Sequence, residues 1–135
     1  MHDSIGRPQA ARVYAWLVTL SALTVILQGF LFSGVYSKGA ANYLDVHLFV
    51  GRISVVVVVV ALNGLAHRAQ YPRRMKMLGL TVALSAMWVA QNFLGELIGD
   101  TRWVAMLHIP LGMLILALAV VLTGRAHRAL AGRFD

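Results

Sequence analysis

The chain has 135 residues, 59% of them hydrophobic and only 13% charged, with no cysteine and a mean hydropathy of +0.74. That is too apolar for an ordinary soluble domain of this length, and the lack of cysteine excludes disulfides, thiolate metal sites and haem attached through paired cysteines. A net charge of +7 would suit nucleic acid, but the basic residues stand at the ends of apolar runs, a distribution that serves membrane topology and lipid headgroups instead.

Crossing about 30 Å of hydrocarbon takes about 20 mostly apolar residues per helix, and four segments qualify: 13–36, 44–65, 77–98 and 103–122. With short connections they use nearly the whole chain. The sequence therefore reads as an all-α membrane protein, a single four-helix transmembrane domain over residues 1–135 embedded in the lipid bilayer. Arg7 and Arg12 precede the first span, His67, Arg68, Arg73, Arg74 and Lys76 lie between the second and third, and Arg125, Arg128 and Arg133 follow the fourth. The other two loops are nearly neutral, with Lys38 and Asp45 in one and Glu96, Asp100 and Arg102 in the other. By the positive-inside rule both termini and the middle loop are cytoplasmic. The first span is longer than the ~7–15 residues of a secretory h-region, so it is expected to be a retained helix.

In chain order, the first helix sets Ser21, Thr24, Gln28, Gly29, Ser33 and Gly34 among large apolar residues, the small and polar groups that let membrane helices approach closely. An outer turn is predicted over residues 34–42. The second helix begins near Tyr43, carries His47 and runs through six consecutive valines at 55–60. Lipid enforces helix there despite the β-branched run, because the backbone must satisfy its own hydrogen bonds. Pro72 marks a break between two hairpins. The third helix holds Ser85, Trp88, Gln91, Asn92, Gly95 and Glu96, and Tyr43 and Trp103 sit where interfacial aromatic residues belong. In the fourth, Pro110 follows two residues after His108, which predicts a local kink.

The two halves look like one hairpin used twice, over about 13–69 and 77–129. Gln28 matches Gln91, His47 matches His108, Gly51 matches Gly112, and the run from Gly64 to Ala69 matches that from Gly124 to Ala129. Each half starts inside, crosses and returns, so the repeats are parallel and related by a pseudo-twofold axis along the membrane normal.

Ionisable side chains inside a span are costly and point by default to function. His47 and His108 lie at the same depth, each about 5–10 Å below its helix start at 1.5 Å per residue, and the symmetry sets them across the bundle axis from one another. Two facing neutral imidazoles in an apolar bundle suit haem iron, one haem b per chain. Gly51 and Gly112, one turn on, leave space beside a flat ligand on the same face. Gln28 and Gln91 are placed to orient a ligating ring or a second ligand such as a quinone. Arg52 has two partners in reach, the haem propionates or Glu96, and Arg102 and Lys38 share the propionate option. A structural histidine pair, another ligand and a proton path are the alternatives. Zinc is disfavoured, since beyond Glu96 or Asp45 no third ligand of matching depth is evident. His67 and His127 do not form a second such pair: they fall about 200° and about 100° around from His47 and His108 respectively, among cytoplasmic arginines.

The stretch Gln91-Asn92-Phe93-Leu94-Gly95, followed after a short turn by His108 in the next helix, resembles a hairpin of the haem A synthase family, and so does His47-Leu48-Phe49-Val50-Gly51. Members of that family consist of two four-helix halves, each binding haem through histidines on its second and fourth helices. The chain looks like one such half and is also similar to small bacterial four-helix membrane proteins of unassigned function. What the resemblance implies is haem ligation at His47 and His108 in a bacterial inner membrane. It does not extend to hydroxylation: the family's glutamate three residues before the histidine is Leu44 here, Asp45 being offset by one, and the second half and the extracytoplasmic cysteine pair are missing.

The function expected from the sequence is a b-type cytochrome that carries electrons in the membrane, a redox carrier or subunit rather than a stand-alone enzyme. The alternatives are an accessory or assembly subunit of a larger membrane redox complex, with structural histidines, and a haem storage or delivery protein. A homodimer reproducing the two-bundle arrangement of the synthases is compatible with either.

Overall fold

A computed structural model describes residues 6–38, 41–69, 71, 73–97 and 102–132. Five helical labels make four rods: α1 (Gly6–Lys38), α2 (Ala41–Val56) continuing through a π-helical segment (Val57–Leu62) into α3 (Asn63–Ala69), α4 (Arg74–Leu97) and α5 (Arg102–Ala131). There is no strand among the described residues. The four segments long and apolar enough to cross a membrane are Arg7–Ser33, Leu44–Ala69, Arg74–Leu97 and Met106–Ala131. All four reach further into the basic ends than the hydropathy of the sequence suggests. Arginine and lysine stems lie along apolar surface while their charges stay outside, so the helix outlasts the apolar run.

The rods alternate in direction and pack in a ring. α1 lies against α2, α3 and α5, and α4 lies against α2, α3 and α5, while α1 with α4 and α2 with α5 are the diagonals. One end of the bundle gathers Arg7, Arg12, His67, Arg68, Arg73, Arg74, Arg125 and Arg128, and we call it the basic end. Large apolar side chains cover the outside, among them Trp16, Phe30, Phe49, Val60, Met106 and Met113, a surface that calls for lipid rather than water.

Packing is tight only towards the basic end. Ala11, Ala15, Ala66, Ala69, Ala119 and Ala126 are fully buried there around Tyr14, Leu62, Leu84 and Leu122, small residues that bring backbones close where no hydrophobic force drives helices together. Buried polar groups tie the rods. Thr81 Oγ1 donates to Met77 O at 2.8 Å, which leaves Tyr14 as the donor in the 2.7 Å contact between Tyr14 Oη and Thr81 Oγ1. Tyr71 Oη donates to Ala11 O, and Trp88 Nε1 to Ser21 Oγ. Replacing Thr81 by valine strands the Tyr14 hydroxyl and is expected to cost about 1–2 kcal/mol. Tyr14→Phe leaves Thr81 bonded to Met77 and should cost less. Unfolding in mixed detergent micelles ranks the two, and the reverse order would overturn this donor assignment.

The valine run is helical, but its second half widens to a π-helix over Val57–Leu62. Branched side chains crowd the i to i+4 spacing of an α-helix, and a wider turn separates them. One carbonyl at the widening finds a side-chain donor, since Asn63 Nδ2 donates to Val59 O at 2.8 Å; it also donates to Ser85 Oγ at 2.7 Å, whose own proton goes to Thr81 O at 3.0 Å. The turn predicted over 34–42 is shorter, since α1 is helical to Lys38 and α2 begins at Ala41, and the two residues between lie outside the described ones. Pro72, Asp100 and Arg133 also lie outside them, as do the side chains of Lys38, Tyr43 and Arg102. α5 runs through Pro110 without division.

Candidate functional site

Away from the basic end the bundle opens into a cavity of about 480 Å³, within the ~300–1,000 Å³ of small-molecule and cofactor sites. Each long rod contributes. His47 stands near the start of α2 and His108 near the start of α5, while Gln28 and Gln91 come from the later parts of α1 and α4. Because neighbouring rods run in opposite directions, these four positions meet at one level. Gln28, His47, Gly51, Gln91, His108 and Gly112 all line this one cavity.

The two imidazole centres are 6.2 Å apart, with their planes inclined at 55°. An imidazole nitrogen sits about 2.0–2.1 Å from a bound transition metal and about 1.2 Å from its ring centre, so two rings on opposite sides of one metal ion have centres about 6.4–6.6 Å apart. The observed spacing falls within a few tenths of an ångström of that figure. The Nδ1 atoms of both rings are buried without a hydrogen-bond partner. Each ring lies against the backbone of a glutamine on the adjacent rod, His47 against Gln28 and His108 against Gln91. The Nε2 atoms are neither buried in this way nor hydrogen-bonded, so they are the nitrogens open to the cavity. The tautomer protonated at Nδ1 leaves the Nε2 lone pair available to a metal.

The glutamines and glycines interlock. Gln28 Nε2 donates to His47 O at 3.0 Å. A Cβ built on Gly51 would lie 3.2 Å from Asn92 Oδ1 and 3.4 Å from Gln28 Nε2, and one on Gly112 would lie 3.1 Å from Gln91 Nε2. The room these glycines provide therefore holds amide groups of neighbouring rods at the cavity wall, a role more specific than a gap beside a flat ligand. Gln28 Oε1 and Gln91 Oε1 are buried without partners. Among the described residues, four of the seven such orphaned atoms, these two oxygens and the two Nδ1 atoms, thus belong to residues of one cavity. Native interiors keep few orphans, so their concentration marks a place where the protein alone does not complete the polar contacts.

Several contributors were not picked out from the sequence as site residues. Gly95 faces His108 so closely that a Cβ there would lie 3.2 Å from the ring's Cε1. Phe32 stands beside His47, ring centres 6.0 Å apart. Trp88, Asn92 and Met113 also line the cavity. A signal for some of them was available: Trp88, Gln91, Asn92 and Gly95 follow the i, i+3, i+4, i+7 spacing of one helix face.

Arg52 is not in the cavity wall. Its guanidinium leaves the bundle to meet Glu96 Oε1 at 3.2 Å, in an ion pair whose side chains are 63% and 45% exposed. Being next to Gly51 turns it about 100° away from the cavity face. His67 and His127 do not pair either: His67 is exposed, and His127 Nε2 lies 3.2 Å from Thr19 Oγ1 with its ring edge-on to Trp16. Among the described residues no three histidine, aspartate or glutamate side chains come together. The donor set offered is a pair of imidazoles in an apolar box, which fits a planar metal complex that brings its own equatorial ligands. No family model, curated protein or solved structure matches the chain.

Proposed function

We propose that the protein is a membrane b-type cytochrome holding one haem per chain, with His47 and His108 as the two axial ligands. The observation that carries this reading is the 6.2 Å spacing of the two imidazoles across a cavity bounded by all four rods. In this reading both termini and the basic end face the cytoplasm and the histidines lie towards the outer face of a bacterial inner membrane, as the charge distribution favours. The motif likeness to one half of the haem A synthases points the same way.

The group bound there would supply reversible one-electron exchange at its iron. The polypeptide's part is to hold and insulate it. His47 and His108 present Nε2 from diagonal rods, and Trp88, Ile115 and Leu116 close the cavity towards the basic half. Leu44, exposed on α2, offers no acid or base, which favours electron transfer over hydroxylation.

Purified protein from haem-supplemented cells is expected to give a dithionite-reduced minus oxidised spectrum of a low-spin b-type haem, at one haem per chain by pyridine haemochrome. Colourless protein that is nevertheless folded and helical would overturn the reading.

A further inference from the structure

The cavity is not equally closed on its sides. Its exposed lining residues are Ile26 and Gly29 of α1 and Ile109 and Met113 of α5, whereas every lining residue from α2 and α4 is buried or half-buried. α1 and α5 are neighbours in the ring, so the open side is the gap between the first and last rods. At 1.5 Å per residue these four positions lie about 10–18 Å along the axis from the helix ends at Lys38 and Arg102. In a hydrocarbon layer about 30 Å thick that gap faces acyl chains, and it carries no charge.

The opposite gap, between α2 and α4, is shut. Asn92 packs on Gly51, and outside it Arg52 and Glu96 strap the two rods together at 3.2 Å. The offsets that match His47 with His108 and Gln28 with Gln91 relate these two gaps to each other. They carry Asn92 onto Gly29, Glu96 onto Ser33 and Arg52 onto Met113. At equivalent places, then, one gap has an amide, a carboxylate and a guanidinium, and the other has a hydrogen atom, a small hydroxyl and a thioether. The difference lies in the side chains and not in the architecture. At Gly29 a Cβ would meet nothing within 4 Å, so glycine is not required there by packing, and its effect is to keep the gap open.

We propose that the α1/α5 gap is a lateral portal through which a quinone-class molecule, a planar carbonyl-bearing ring on an apolar tail, reaches the cavity from within the bilayer. A plain acyl chain matches the rim but not the interior. Gln91 and Asn92 carry their amides into the wall, and Gln91 Oε1 is buried without a partner; an amide oxygen is answered by a hydroxyl of the reduced ring, and an amide N–H by a carbonyl of the oxidised one. Asn92 stands on the far side, between α2 and α4, where a ring entering between α1 and α5 arrives. The inference rests on the membrane-spanning reading and not on haem. If the haem reading holds, haem occupies the cavity, the carrier's ring stops at the portal beside Gly29 and Met113 and meets the cofactor there, and the far-wall amides are reached only in haem-free protein.

The test uses the full chain in liposomes, photolabelled with an azido-substituted short-tail ubiquinone analogue and mapped by mass spectrometry. Label is expected on peptides containing Ile26 to Gly29 and Ile109 to Met113, displaced by excess unlabelled decyl-ubiquinone. Gly29→Leu is expected to lower it several-fold. Gly79→Leu, also in open space but near the basic end of α4, is expected to leave it unchanged. Circular dichroism checks that both variants fold. The double variant Arg52→Met, Glu96→Ser is expected to add label on α2 and α4 by unstrapping the second gap. Label that decyl-ubiquinone does not displace, that spreads evenly over lipid-facing residues such as Val57 and Val60, or that ignores Gly29→Leu overturns the portal. Displacement by oleate as effective as by decyl-ubiquinone makes the occupant an acyl chain and overturns the ligand class. Absorption spectra of the same samples separate the two proposals: colourless protein with displaceable label sinks the haem reading alone, and a haem spectrum with undisplaced label sinks the portal alone.

Discussion

His47→Ala and His108→Ala should each reduce bound haem to roughly a tenth of the wild-type content or less, given that losing even an outer-shell partner of a metal ligand costs about 10–100-fold. Added imidazole should restore part of the low-spin spectrum, since the lost group is then supplied from solution. His67→Ala and His127→Ala should leave the spectrum intact, because His67 is exposed and His127 is engaged with Thr19 and Trp16. The same variants separate a ligand pair from a structural pair through stability. Nδ1 of each ring is buried and unpartnered, so removing the ring from the cofactor-free protein breaks no satisfied hydrogen bond, and deleting an orphaned polar group is close to neutral or stabilising. The expectation is a haem-free variant no less stable than the haem-free parent in detergent unfolding. A marked loss of stability in that comparison, with haem content unchanged, would identify the histidines as structural.

The architecture is the part of the protein most readily read from its sequence, for a reason peculiar to lipid. A run such as the valines at 55–60 is ambiguous in water, but in hydrocarbon the backbone has only itself to bond to, so four apolar runs had to become four helical rods. What hydropathy does not encode is local geometry. The π-helical widening at Val57–Leu62 is supported by Asn63 of the same rod, whose amide bonds the Val59 carbonyl and also Ser85 Oγ, and the second of these contacts is knowledge of a neighbouring rod. The contrast between the alanine-packed basic half and the open opposite half likewise emerges only when Ala11, Ala66 and Ala126 are seen in one cluster. At the site, matched offsets brought His47, Gln28 and Gly51 together with His108, Gln91 and Gly112, because residues repeated at equal depth on alternating rods must meet at one level. Arg52 was harder: a position one residue from Gly51 looks close to the cavity along the chain but faces another way around the helix. Gly95 was passed over as a residue of the resembling motif, since a glycine's contacts belong to what stands opposite, here the His108 ring.

That contact sets up the second large expected effect. Alanine is a better helix former than glycine by about 1 kcal/mol, so Gly→Ala in any of these helices starts with a stability gain. Gly64 and Gly79 have nothing within 4 Å of a new Cβ, and alanine there should raise stability and leave haem affinity alone. At Gly51 and Gly112 the new methyl meets the ends of amide side chains at 3.1–3.4 Å, groups that swing aside at small cost, so affinity should fall only slightly. At Gly95 the methyl meets His108 Cε1 at 3.2 Å and Nδ1 at 3.7 Å. The imidazole has only two torsions and lies against the Gln91 backbone, so it yields by tilting, and a tilted ring no longer aims Nε2 along the line to His47. Gly95→Ala should therefore bind haem about tenfold more weakly, in the range for disturbing a ligand's support, while its cofactor-free form keeps or exceeds the parent's stability. Gly95→Leu should lose the low-spin spectrum. Haem titration followed by absorption, alongside thermal unfolding of the haem-free forms, reads both quantities. Affinity that fell with stability at Gly95, or that fell more at Gly112 than at Gly95, would mean that the His108 ring is not what that glycine makes room for.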